Sequence, residues 1–185
     1  MLFATGIAVA HSELLLETFD RRLEQFDSRL RGLEALRDRL DREGPVAVDV
    51  SRQIVREVGS AVGYANGQDI VHRDIKPDNI MLSGGHAVVA DFGIAHAVSA
   101  AGGGRLTAAG LTLGTPSYMS PEQAAGETGD GRSDEYALAC ITYEMLAGEP
   151  PYTGPNAQSV LRKHVTDPIP TVRRLRDTVP EEVDE

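Results

Sequence analysis

Tryptophan is absent, cysteine occurs once, lysine occurs twice and aromatic side chains make up only 5% of these 185 residues. A lone cysteine, Cys140, excludes an internal disulfide and suits a reducing compartment, so the cytoplasm is the expected location. Positive charge is also scarce: 18 Lys+Arg stand against 28 Asp+Glu, a net charge of −10. Such a balance leaves little for a phosphate-tracking basic stripe, and no nucleic-acid partner is expected. No apolar run approaches the roughly 20 residues that span a bilayer, so no membrane partner is expected either. Residues 1–10 are apolar and end in Ala8-Val9-Ala10, but they carry no basic region and the run is short, which argues against a secretory leader.

A hydrophobic content of 41% in a chain of this length can bury one sizeable core, with an appended helix. The rest is organised around residues 70–82, where a polar cluster lies between two short apolar runs. Asp74 can accept or orient a hydroxyl proton, Lys76 can offset negative charge, and Asn79 offers a hard oxygen suited to Mg²⁺. Phosphoryl transfer uses all three, because its catalysis is mostly positioning and charge neutralisation.

The flanking segments follow from spacing and turn chemistry. Residues 12–43 read as one helix, with Leu16, Phe19, Leu23, Phe26, Leu30 and Leu33 at 3-4 spacing and a stop at Gly44-Pro45. The sharper reading is a coiled-coil seam that forms a homodimer through this N-terminal helix; the plainer one is a helix lying on its own domain. About three heptads only reach the threshold for a coiled coil, so the plainer reading is preferred. Asp49 is the expected N-cap of a second helix with Val50, Ile54, Val58, Val62 and Ala65 along one face. Its Gly59 and Gly63 imply close packing against a neighbour. Ser83-Gly84-Gly85-His86 predicts a hairpin turn, and the following strand leads into Asp91-Phe92-Gly93, where the aspartate can hold Mg²⁺ against phosphate oxygens. Residues 95–113 are small, polar and glycine-rich, a loop pattern in which Thr107 and Thr112 are candidate phosphosites; a phosphate there could pair with Arg73.

His72-Arg73-Asp74 followed by Asn79 resembles the protein-kinase catalytic loop, H-R-D-x-x-x-x-N, and Asp91-Phe92-Gly93 resembles its D-F-G partner. Lys76, and the stretch from Gly114 to Glu122 (GTPSYMSPE), resemble the bacterial serine/threonine branch. The resemblance runs on through residues 130–146, Pro150-Pro151-Tyr152 and a helix near 156–165, and residues 34–48 resemble the stretch after the family's hinge, where a short helix opens the lobe, which implies that the long helix breaks near Gly32. It implies transfer of the ATP γ-phosphoryl group to protein serine or threonine hydroxyls, with ATP and Mg²⁺ as cofactors. Asp74 is then the base, Lys76 the charge-balancing and nucleotide contact, and Asn79 and Asp91 the metal and nucleotide ligands. His72 and Arg73 belong to the loop, Thr115 and Glu122 to the substrate segment, and Asp134 braces the loop backbone.

The departures matter too. Kinases of this family clamp ATP with a glycine-rich loop and a strand lysine, whereas the two lysines here are Lys76 and Lys163 and the glycines ahead of the loop stand at 6, 32, 44, 59, 63 and 67. Glu135 and Ala139 replace residues that are usually aliphatic and glycine, and a carboxylate on a buried helix needs a partner. The family arginine that pairs with Glu122 lies past position 185, so an unpaired carboxylate and a fragile lobe are expected. The expected fold is mainly α with a small β-hairpin: a kinase-like C-lobe (34–185) without the β-rich N-lobe, behind a divergent helical segment (1–33). Two alternatives remain, a catalytically dead kinase fragment acting as a binding module, and a helical coiled-coil interaction protein.

Overall fold

A computed structural model describes residues 32–92 and 115–184. Within it Glu34–Glu185 form a compact unit. Its elements are β1 (Glu34–Ala35), α1 (Leu36–Glu43), α2 (Val48–Asn66), a 3₁₀ turn (Pro77–Asn79), β2 (Ile80–Ser83), β3 (His86–Val89), a second 3₁₀ turn (Pro116–Tyr118), α3 (Pro121–Ala124), α4 (Gly131–Ala147), α5 (Ala157–Thr166), a third 3₁₀ turn (Val172–Arg174) and α6 (Glu181–Asp184). The fold is thus mostly helical with one small antiparallel sheet, in the order β1-β2-β3.

Two long helices carry the core. α2 buries Ile54, Val58, Val62 and Ala65 at helical spacing and packs on α4 and β3. α4 is buried on most of its faces, with Ile141 and Met145 wholly enclosed beside Leu36, Ile80 and Val58. Cys140 is buried on the same helix, and burial pushes its thiol pKa up to about 12. Asp130 caps the start of α4 by accepting from the Arg132 N–H at 2.9 Å. Gly148 ends it in the left-handed region at φ +90°, where a Cβ would meet the Pro45 ring at 2.9 Å. Arg176 reaches back to donate to the carbonyls of Val46 at 2.7 Å and Leu146 at 3.3 Å, closing this helix end against the start of the unit.

The hairpin has two central glycines at φ +57° and +85°, as a tight two-residue turn between twisted strands requires. A side-chain clasp hangs it on α2. Glu57 accepts from the Ala87 N–H at 2.6 Å and faces His86 Nδ1 at 2.9 Å, while Gln53 donates to the Gly85 carbonyl at 2.7 Å. The Ala87 bond first, then His86 and Gln53, hold the Glu57 carboxyl at about 2, well below its ordinary 4.5.

Several sequence expectations change. The helix read over 12–43, with its break near Gly32, begins among the described residues only at Leu36: Glu34 and Ala35 pair with Leu82 and Met81 as a third strand, which the sequence did not suggest. Sheet pairing overrides local helix propensity there. Residues 12–31, with most of the heptad pattern, lie outside the described residues, as do Thr107, Thr112 and Gly93. Asp49 is not the N-cap of α2; Ala47 holds that position and Asp49 sits in the first turn, where its charge complements the helix dipole. Gly63 has open space beyond its hydrogen and Gly59 only an ordinary contact with Leu138, so close packing does not explain either glycine. Glu135 is exposed and needs no buried partner.

Two stability outcomes follow. Gly63→Ala is expected to raise the unfolding free energy by about 1 kcal/mol, read from urea denaturation. Because the folded pKa of Glu57 is depressed, its contribution is complete above about 4.5 and fades as pH falls towards about 2. Wild type should therefore be more stable than Glu57→Gln at neutral pH, and the gap should close across that acidic window in denaturation midpoints.

Candidate active site

The loop between α2 and the first 3₁₀ turn is held from below by one carboxylate. Asp134, 1% exposed near the start of α4, accepts the backbone N–H of His72 at 2.9 Å and of Arg73 at 2.7 Å. Arg73 sits at φ +66°, a conformation that costs a non-glycine residue about 1 kcal/mol or more. The charge-assisted bonds to Asp134 offset it, helped by Gln123, which donates to the Arg73 carbonyl at 3.0 Å. The Arg73 side chain donates from Nε to the Gly129 carbonyl at 3.2 Å.

His72 is 3% exposed and links loop to sheet. Its Nε2 lies 2.9 Å from the Ala90 carbonyl, which can only accept, and its Nδ1 accepts the Asp74 N–H at 3.3 Å. The neutral Nε2–H tautomer satisfies both contacts. Its ring also packs against Phe92 at 4.8 Å between centroids. His72 therefore ties the Asp74 backbone to the end of β3 and to the residue after Asp91.

Asp74, Lys76 and Asn79 converge. Lys76 Nζ lies 2.8 Å from Asp74 Oδ2, and Asn79 Nδ2 donates to the Asp74 carbonyl at 2.8 Å and approaches Oδ2 at 3.4 Å. Pro77 opens the 3₁₀ turn that brings Asn79 back over Asp74, since its fixed φ suits a first turn position. The Asp74 side chain is 44% exposed, so the cluster has one open side. With the Asn79 NH₂ group committed to Asp74, its amide oxygen is the atom left to face a cation. Asp91 is exposed and held at φ +58° directly after Ala90, whose N–H donates to the Asn79 carbonyl at 2.8 Å. These two hard oxygen donors suit Mg²⁺, which takes one or two protein ligands and completes its shell with phosphate oxygens and water. Among the described residues no three His, Cys, Asp or Glu groups form a metal cluster of their own.

The segment from Thr115 to Ala124 is fixed nearby. Thr115 is exposed at the start of the second 3₁₀ turn, and the Asp74 carboxylate's partners among the described residues are Lys76 and Asn79. Ser120 and Gln123 form a reciprocal capping box on α3. Glu122 is not the buried, unpaired carboxylate expected from the sequence. It is partly exposed and accepts from the Ser133 hydroxyl, which holds its pKa below the usual value.

One assembly escaped the sequence reading. Tyr118, Glu144 and Arg37 meet in the core, with Arg37 Nη1 3.0 Å from Glu144 Oε1 and the Tyr118 hydroxyl donating to Glu144 Oε2. Burial, and then the Glu144 bond, push the Tyr118 pKa up. This joins α1, α4 and the second 3₁₀ turn. The signal was present in Thr142-Tyr143-Glu144-Met145-Leu146, because an acid inside a buried apolar stretch demands a cation. Gln123 gave no comparable sign, since its contact is with a backbone carbonyl 50 positions away.

This arrangement can be compared with known proteins. The protein kinase domain family matches residues 26–184. Serine/threonine-protein kinase PknB of Mycolicibacterium smegmatis is 45% identical over 148 residues, covering 79% of this chain and 24% of that protein. PknB of Mycobacterium tuberculosis is 45% identical over 141 residues, 75% of this chain and 22% of that one. Serine/threonine-protein kinase PknL of the same species is 37% identical over 151 residues, 81% and 37% of the two chains. The chain spans about a quarter of the length of the PknB relatives it matches. On the extent of the domain match and these identities, the chain belongs to the bacterial serine/threonine protein kinase family.

Proposed function

We propose that residues 34–185 are the carboxy-terminal part of a kinase domain, following a separate segment 1–33, and that this part moves the ATP γ-phosphoryl group onto serine or threonine hydroxyls of protein substrates. The observation that carries the reading is the convergence of Asp74, Lys76 and Asn79 on one exposed point. Asp74 orients the incoming hydroxyl and takes its proton. Lys76 keeps that carboxylate in place and offsets charge on the transferred group. Asn79 and Asp91 are the residues that would hold Mg²⁺, which supplies neutralisation of the phosphate oxygens when bound. His72, Arg73 and Asp134 position the loop, and Thr115 and Glu122 belong to the stretch that receives the substrate. Thr107 and Thr112 remain the proposed phosphosites of the adjoining loop. No helix among the described residues is long and apolar enough to cross a membrane; a cytoplasmic location is part of this proposal.

A second reading is favoured by a specific observation: no lysine and no glycine-rich triplet precede the catalytic loop in this chain. ATP would then lack its usual grip, and the chain would act as a binding module built on a kinase scaffold. Incubation of the purified chain with Mg²⁺, ATP and a generic basic protein separates the two. Phosphate should appear on serine or threonine, and Asp74→Asn should slow it by about 100-fold or more with an unchanged unfolding curve. No incorporation, together with no ATP binding by calorimetry, would favour the binding module.

The brace gives an independent outcome. Asp134→Asn leaves one carbonyl oxygen for two N–H donors, one at the strained Arg73, and should cost about 2 kcal/mol by urea denaturation. Any phosphotransfer should fall as well, because the loop loses its support.

A further inference from the structure

The second 3₁₀ turn is weakly held by its own backbone. Its two internal bonds, from the Tyr118 N–H to the Thr115 carbonyl and from the Met119 N–H to the Pro116 carbonyl, are both long at 3.3 Å, and Pro116 has no N–H to give. Tyr118 anchors the far end of the turn on Glu144. The near end, beside Thr115, has α5, which packs on this turn and on α3.

His164, near the end of α5, is 4% exposed and takes no part in the cluster around Asp74. Its Nδ1 lies 2.8 Å from the Tyr136 hydroxyl on α4, and the Tyr152 ring meets it edge-on at 4.8 Å between centroids. Its Nε2 is enclosed, makes no well-formed hydrogen bond, and faces the Pro116 carbonyl. A proton on Nε2 suits both sides of the ring: Tyr136 then donates to Nδ1, and Nε2–H points at an oxygen. The opposite tautomer would set a lone pair against that carbonyl. Burial raises the Tyr136 pKa, so its hydroxyl keeps the proton it donates.

The groups around the ring are neutral or engaged elsewhere. α4 brings Tyr136 and Cys140, whose pKa values burial raises. The loop after α4 brings Tyr152, whose hydroxyl donates to the Asp167 carbonyl at 3.3 Å. α3 brings Glu122, whose carboxylate is taken by Ser133. On α5 itself, Lys163 donates to the Thr153 carbonyl at 2.7 Å, and beyond its end Asp167 Oδ1 accepts from Thr166 at 2.9 Å. Among the described residues no carboxylate pairs with the imidazole. Protonation would put an uncompensated charge in a buried site and aim an Nδ1–H at a hydroxyl that had been donating. Burial accordingly lowers the His164 pKa from the ordinary 6.5, with the Pro116 carbonyl pulling the other way.

We propose that His164 is a positioning residue: its neutral ring, set by Tyr136, holds the Pro116 carbonyl and with it the place of Thr115, and protonation of the ring frees that turn. The consequence for phosphoryl transfer rests on the function proposed above, in which Thr115 belongs to the stretch that receives the substrate; the hold itself does not. Because the folded pKa is depressed, the hold is complete above 6.5 and is lost as pH falls through the lowered value. Asp74 and its neighbours are braced separately, through Asp134 and His72, so the loss falls on substrate capture, in KM, more than on kcat.

Two measurements on the full chain test this without requiring catalysis. Proton–nitrogen NMR of the imidazoles, with His164 identified by its absence from His164→Gln, should show the neutral Nε2–H form at about pH 7.5 and its protonation by about pH 5. Amide exchange, corrected for its intrinsic pH dependence, should show Ser117 and Tyr118 losing about tenfold protection over the same interval, while Ile141 and Met145 in α4 keep theirs. The wild-type midpoints of ring and turn should coincide, a comparison that needs no folded variant. His164→Gln, whose amide donates but does not titrate, should keep the turn protected throughout, and His164→Phe should leave it unprotected throughout. With Mg²⁺, ATP and a serine peptide, KM should rise about tenfold on acidification in wild type and not in His164→Gln. An Nδ1–H tautomer, a ring still neutral at the acidic end, a turn that stays protected as the ring protonates, an equal loss in His164→Gln, or transfer with an unchanged KM would overturn the proposal. Absence of transfer would count against the proposed function, and the exchange result would still decide the role of His164.

Discussion

The carboxylate of Asp134 is the point from which the candidate site takes its shape. It accepts two successive backbone N–H groups while almost wholly buried, and it sits on the helix that most of the core packs around. A buried carboxylate left without donors would cost several kcal/mol, so the loop and the helix each satisfy a need of the other. The left-handed turn at Arg73 directs the chain into Asp74 and is tolerated because both neighbouring N–H groups are held. His72 then passes that fixed position on to β3 through the Ala90 carbonyl and to Asp91 through Phe92. Loop and hairpin, with Asn79 and Asp91, are thereby registered to one helix.

A second charged centre does related work at longer range. Glu144 and Arg37, 107 positions apart, bring α1 against α4, and Tyr118 adds the second 3₁₀ turn to the same pair. Replacing such a pair with packed apolar groups can be neutral, whereas removing one member leaves a charge stranded. What it contributes here is a defined position for Tyr118, only three residues past Thr115. Glu57 and Gln53 do the same for the hairpin from the exposed side. Polar contacts decide where the connecting segments lie on a scaffold of apolar helices.

Much of this was readable from residue order. The glycine pair of the hairpin, the apolar face of α2, and the clustering of Asp74, Lys76 and Asn79 are all local signals, carried by turn chemistry, periodicity and short spacing. The third strand was not readable. Glu34 and Ala35 sit in a helix-forming composition, and only Leu82 and Met81, far along the chain, supply the pairing that makes them extended. The partners of Glu122 were misjudged for the same reason, because Ser133 becomes its neighbour only when α3 meets the start of α4. Glu144 could have been flagged as an acid in an apolar stretch, but nothing local names Arg37 as its cation.

The clasp made by Arg176 also bears on how the molecule is assembled during synthesis. Its guanidinium donates to the carbonyls of Val46 and Leu146, 130 and 30 positions earlier, so the segment joining the first two helices, tied by its Val46 N–H to the Met145 carbonyl at 2.6 Å, gains this second hold only once that arginine has left the ribosome. Vectorial folding can raise the paired long helices and the hairpin early, whereas this second hold waits for residue 176 to emerge.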